Sequence, residues 1–173
     1  AGFTLPEVLV TLAIVATLTA VLLPALNNQL SKGDASRVTN DIVAIRTAVG
    51  AFTSDVRRYP SALVQLKTKP LATDVDVLGN QFGGTLIQRW RGPYLSKDLN
   101  GSNAMPTGYG GIISGTMGQT SYNGIPYLNI QITGLTTDEF NNIDQIIDET
   151  ANSSTGQLTL SGTTAVWAAT PIQ

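Results

Sequence analysis

The sequence predicts an α+β chain in which one long N-terminal helix packs on a small antiparallel β-sheet head. Three observations carry that expectation: a run without charge from Val8 to Leu26, an apolar stripe at helical spacing from Ala35 to Val56, and short alternating segments punctuated by Gly and Pro after residue 79. The first two read as one helix passing through two environments, and the third supplies the sheet that receives its second half.

From Val8 to Leu26 the largely apolar run is about the length at which a helix crosses the hydrocarbon core of a bilayer. No charge follows until Lys32. A secretory signal peptide would show a basic start, a short apolar stretch and a small-residue cleavage site. Here Glu7 stands where base is expected, and the run is too long. A carboxylate at the margin of such a segment is costly in lipid and is by default a functional group in need of a cation. A plain membrane anchor would leave Glu7 unexplained. Pro24, inside Leu22-Leu23-Pro24-Ala25-Leu26, removes one backbone hydrogen bond and predicts a kink or local unwinding between Ala20 and Pro24.

Beyond this run Ala35, Val38, Ile42, Ile45, Val49, Phe52 and Val56 recur at spacings of three and four, which is one apolar stripe. Arg37, Asn40, Asp41 and Arg46 are assigned to the polar surface. The helix should end near Arg58, before Tyr59-Pro60, for a length of roughly 75–80 Å at ~1.5 Å per residue. Residues 1–30 then form an apolar membrane or filament-core helix, and residues 31–173 a head that includes the amphipathic half-helix 31–58.

In the head, Gly111 to Ile113, Tyr127 to Ile132, Gln157 to Leu160 and Ala165 to Ala168 read as strands. Leu128, Ile130 and Ile132 alternate with Tyr127, Asn129 and Gln131, as in a strand with one buried face. Thr136 with Glu139 three residues on is a capping box opening a short surface helix that carries Phe140, Ile143 and Ile147 inward. Asp144 and Asp148, one turn apart, are placed on its outer side as a solvated acidic face.

The stretch Gly2-Phe3-Thr4-Leu5-Pro6-Glu7-Val8-Leu9-Val10-Thr11-Leu12-Ala13-Ile14 closely resembles the N-terminus of type IV pilins and of the pseudopilins of type II secretion systems. That resemblance implies a pilin-like fold and cleavage by a prepilin peptidase between Gly2 and Phe3. It also implies methylation of the new Phe3 amine and an assembly role for Glu7, with an extended rather than helical segment around Pro24. Ala1 and Gly2 precede the expected mature start; with Ala1 as the N-terminus, the amine lies two residues further from Glu7. A second stretch is similar to the major pseudopilins: Asp55-Val56-Arg57-Arg58-Tyr59-Pro60, Leu63 and Leu66, then Trp90-Arg91-Gly92-Pro93-Tyr94-Leu95. Those proteins bind calcium in a C-terminal loop. The nearest match here is Lys97-Asp98-Leu99-Asn100-Gly101, with Asp98 and Asn100 as candidate Ca2+ ligands, although Asx-Gly is also a common turn. Many pilins close a C-terminal loop with a disulfide, and this chain, without cysteine, would do so by packing.

The absence of His and Cys removes the common triads, thiol nucleophiles and zinc sites. The Gly108, Gly110, Gly111 cluster lacks the strand-to-helix setting of a phosphate loop. A pI near 4.9 gives no basic stripe for nucleic acid, so Arg57, Arg58, Arg89 and Arg91 read as surface residues. Asn100-Gly101-Ser102 and Asn152-Ser153-Ser154 match glycosylation acceptors, a frequent chance pattern. The expectation is therefore a structural subunit and not an enzyme. It would wait in the bacterial inner membrane and then polymerise with itself into a periplasmic pseudopilus or an extracellular pilus. The resemblance implies an inner-membrane assembly platform and minor pilins or pseudopilins as further partners. The rival is a monomeric membrane-anchored binding module.

Overall fold

The computed structural model describes Gly2 and residues 4–172. Its elements are α1 (Leu5–Val56), α2 (Val64–Lys67), α3 (Gly83–Ile87), β1 (Met105–Pro106), β2 (Ile112–Ile113), β3 (Gly118–Tyr122), β4 (Ile125–Thr133), α4 (Thr137–Ile147), β5 (Leu158–Ser161) and β6 (Thr164–Pro171). Residues cluster into two compact units, Ala1–Gly33 and Asp34–Gln173.

In the first unit the described backbone is helical from Leu5 onward, Pro24 included. The unwinding expected between Ala20 and Pro24 is not present in this protomer. A proline removes one donor, while the neighbouring turns keep theirs, so the loss stays local.

In the second unit every residue of the stripe from Ala35 to Val56 is buried. Thr39, Thr47 and Ser54 return their hydroxyls to carbonyls four residues back, so these polar side chains ask nothing of the core. Two residues assigned to solvent are instead buried. Asp41 lies against the core and is paired with the Lys97 ammonium, and Asp144 is fully enclosed. Each follows from the stripe, because helical positions next to an apolar residue on the inner face share that face whatever their chemistry.

The sheet runs β1-β2-β4-β6-β5, with β3 pairing the first half of β4, and every pairing is antiparallel. β1 and β3 were not expected, since Met105-Pro106 is too short to show a pattern and Gly118 to Tyr122 is polar. β3 and β4 meet at Asn123-Gly124, where both residues hold positive φ of 50° and 77°, as a two-residue hairpin turn requires. Leu128, Ile130 and Ile132 are buried as the alternation predicts. Asn129, from the other face, is also buried, its amide accepting from Gly118 N and donating to Gln119 O. A register shift at Leu128/Asn129 re-aims β6.

The rest of the head is fastened to the end of α1. Phe52 packs edge-on to Phe82 and Tyr94, and Trp90 edge-on to Tyr94. Tyr94 donates its hydroxyl to Asp55 and accepts from Arg91 N, while Trp90 Nε1 donates to Gln65 O. Gly92 has no room for a side chain, since a Cβ there would stand 2.5 Å from the Trp90 ring. Tyr59 donates to Pro171 O, tying the chain after α1 to the end of β6. α4 starts with both halves of the capping box between Thr136 and Glu139.

Candidate functional site

The surface that sets this chain apart is the first part of α1. From Val8 to Leu30 every Val, Leu and Ile side chain is exposed. Its threonines add little polarity, because Thr11, Thr17 and Thr19 donate their hydroxyls to Val8 O, Ile14 O and Val15 O. This is the one described helix long and apolar enough to cross a membrane. An apolar surface of that extent has to be covered, at ~25 cal/mol per Å2, by lipid or by other protein.

Glu7 stands in the first turn at the edge of this surface. Its Oε2 accepts from both the amide and the hydroxyl of Thr4, each at 2.8 Å. Among the described residues Oε1 accepts no hydrogen bond. The carboxylate is therefore held at the positive end of the helix by Thr4 through one oxygen. Thr4 was missed as a partner, although Thr4-Leu5-Pro6-Glu7 has the same [Ser/Thr]-x-x-Glu spacing that marks Thr136 and Glu139. Gly2 is exposed in non-helical backbone. The roles assigned to Phe3 and to the Ala1 amine fall outside the described residues.

The candidate calcium ligands are each engaged by other groups of the chain. Asp98 is exposed and holds Lys67 at 2.5 Å, which keeps its carboxyl below the usual carboxylate range. Asn100 Oδ1 turns into its own loop and accepts from Ser102 N and Ala104 N. One carboxylate already carrying an ammonium, beside an amide oxygen already saturated, does not fit an ion that takes six to eight oxygens. Among the described residues no group of three or more acidic, His or Cys side chains could hold a metal.

No family model and no solved structure matches this chain. It is similar to fimbrial protein Q of Moraxella bovis, with 33% identity over 122 residues that make up 68% of each protein. The chain belongs to the type IV pilin and pseudopilin family. Other members align over shorter stretches. Type II secretion system core protein G of Klebsiella michiganensis is 38% identical over 72 residues, 40% of this chain and 51% of that protein. A type IV major alpha-pilin of Moraxella bovis is 42% identical over 50 residues, 29% of this chain and 31% of that one. The chain spans about half the length of the core protein G relatives that it matches. An uncovered apolar helix with one carboxylate near its start thus belongs, in this pilin-family chain, to a relative of structural subunits.

Proposed function

We propose that this chain is anchored in the bacterial inner membrane by the apolar part of α1 and then polymerises through that helix into a type IV pilus-like extracellular filament. The observation that carries the reading is the exposed apolar surface from Val8 to Leu26, with Glu7 as the one charge at its N-terminal margin. Leaving lipid for a bundle of identical helices keeps that surface covered. Glu7 alone would oppose the transfer, and a positively charged N-terminal amine of a neighbouring subunit on Oε1 would neutralise it and fix the register. Gly2 and Phe3 are the proposed processing pair, cleaved and methylated before assembly. An inner-membrane platform and minor pilins would start and extend the polymer.

The pilus is placed ahead of the secretion pseudopilus because the match to a fimbrial protein extends over 122 residues, against 72 for core protein G. The pseudopilus is the second reading, supported by the loop Trp90 to Leu95 that clamps the end of α1. Electron microscopy of filaments sheared from cells expressing the chain at native level, with mass spectrometry of the same fraction, tests both. Long fibres of this chain with a methylated Phe3 start support the pilus. Protein confined to the envelope moves the assignment to a pseudopilus, and failure of any variant at Glu7 to alter its assembly state leaves a monomeric anchored module.

A further inference from the structure

Two carboxylates on α4 hold the connection that follows it. Asp144 Oδ2 accepts from Asn152 N at 2.7 Å, and Asp148 Oδ2 accepts from Leu158 N at 2.9 Å. The segment between α4 and β5 is thereby hung at both ends from side chains one helical turn apart. Gly156, at φ of 108°, lies so close to Asp148 that a Cβ would fall 2.2 Å from Oδ2.

Asp144 is fully buried, and its Oδ1 has no hydrogen-bond partner. Asp148, one helical turn further on with its amide donating to Asp144 O, is the neighbouring carboxylate, and burial and this neighbour both push the Asp144 carboxyl up. Two ionised carboxylates are acceptors only, so neither can satisfy the other. Among the described residues no ion pair is formed by either carboxylate. Asp148 and Glu149 follow the end of α4, and Asp138 and Glu139 lie in its first turn; residues 150–158, β5 and β6 contain no charged side chain, and the whole chain has no Lys or Arg after Lys97. Arg46 of α1 lies over the Trp167 ring.

We propose that Asp144 and Asp148 share one proton and act as a latch on the 149–158 connection, engaged in mildly acidic medium and loosened as the medium becomes neutral to alkaline. The proton sits on Asp144 Oδ1, donates to the Asp148 carboxylate, and is lost to solvent when the pair ionises. A single proton turns the orphaned buried oxygen into a donor and leaves both amide contacts in place. Burial, opposed by the Asn152 amide and reinforced by Asp148, pushes the Asp144 carboxyl from its ordinary 3.8 up to about 6. Because this value is raised on folding, its stabilisation is complete below the ordinary value and is lost as pH rises through about 6. The latch is independent of the filament reading, since it acts within one protomer.

Hydrogen exchange of the full-length chain in detergent tests it, with the Asn152 and Leu158 amides read against Ile130 and Ile132 of β4 to cancel the intrinsic pH dependence. The relative protection should fall at least about tenfold from about pH 5 to about pH 8. D144N, which carries a permanent donor at that position, should hold it level. A carboxyl-carbon NMR titration of the unaltered protein decides the matter even where D144N fails to fold: a step of the Asp144 carboxyl near pH 6 supports the latch. Flat relative protection, no carboxyl step in that range, or the same pH step in D144N would overturn it. So would restoration of protection at pH 8 by calcium or magnesium chloride, which would make the pair a cation site.

Discussion

Replacing Glu7 by Leu separates two roles that one carboxylate could play. Within the protomer Glu7 takes the amide and hydroxyl of Thr4 on a single oxygen, the returning half of a capping box at an exposed helix start. If that were its whole contribution, E7L would weaken assembly less than about tenfold, and Thr4→Val, which removes the hydroxyl but keeps the amide, would weaken it by a similar or smaller factor. If Oε1 meets an amine from the next subunit, E7L leaves that amine buried and unpaired, at a cost of roughly 3–5 kcal/mol. That range corresponds to a loss of roughly 100-fold to several thousand-fold in the subunit–filament equilibrium. E7L also removes the charge nearest the apolar run, so the variant should enter and remain in the membrane at least as well as the parent. The assay is quantitative immunoblotting of sheared-filament and membrane fractions, with electron microscopy of the former. The expected result is an intact membrane pool, filaments below detection for E7L, and near-parental filaments for Thr4→Val. Filaments of E7L at the parental level would refute the intermolecular pair, and equal losses in the two variants would reduce Glu7 to a helix cap.

Four further outcomes can be checked on the detergent-solubilised chain. Phe52→Ala, which empties the site where Phe82 and Tyr94 pack edge-on, should cost about 3–5 kcal/mol in denaturant unfolding. Asp76→Ala removes the acceptor for Arg58 at 2.6 Å and for Leu78 N and Asn80 N; leaving these unpaired should cost roughly 3 kcal/mol and speed proteolysis between residues 70 and 82. Thr136→Ala should cost about 1 kcal/mol, since it deletes one half of a complete capping box while Glu139 keeps the other. Unfolding free energy should decline as pH rises from about 4 to beyond 6, because the folded chain binds the Asp144 proton more tightly than the unfolded chain does. The gap between 3.8 and about 6, at about 1.36 kcal/mol per pH unit, sets a ceiling of roughly 3 kcal/mol, and D144N should remove the decline.

The long helix, its buried stripe, the main strands and the cap of α4 were legible because each rests on a local pattern. Seven apolar residues at spacings of three and four can only share a face, and all seven are buried. The alternation around Leu128 fixed the buried face of β4 in the same way. β3 was not legible, since its strand character comes from pairing with β4 and not from Gly-Gln-Thr-Ser-Tyr itself. The candidate calcium loop illustrates a different limit. The resemblance to the major pseudopilins pointed to Asp98 and Asn100, but the contacts that engage them come from Lys67, distant in sequence, and from the loop's own backbone. At the helix start the opposite happened: Thr4 is three residues from Glu7, and the spacing that would have named it was applied at Thr136 alone.

Asp144 shows why a polar residue on an apolar face is the informative case. The inward set Phe140 and Ile143 continues through position 144, because a residue four beyond Phe140 lies directly over it on an α-helix. Counting charges along α4 places a carboxylate at 144 among its acidic neighbours on a wet surface, whereas counting turns places it in the core. Turns decide, because the backbone sets where a side chain starts and chemistry only sets what that position costs. A buried carboxylate without a cation then has two ways to persist, a proton or hydrogen bonds, and Asp144 has an amide on one oxygen and nothing but another carboxylate for the other. An oxygen without a donor inside a packed head is therefore the expected mark of a titrating group, and it is where a change in medium can act on this fold.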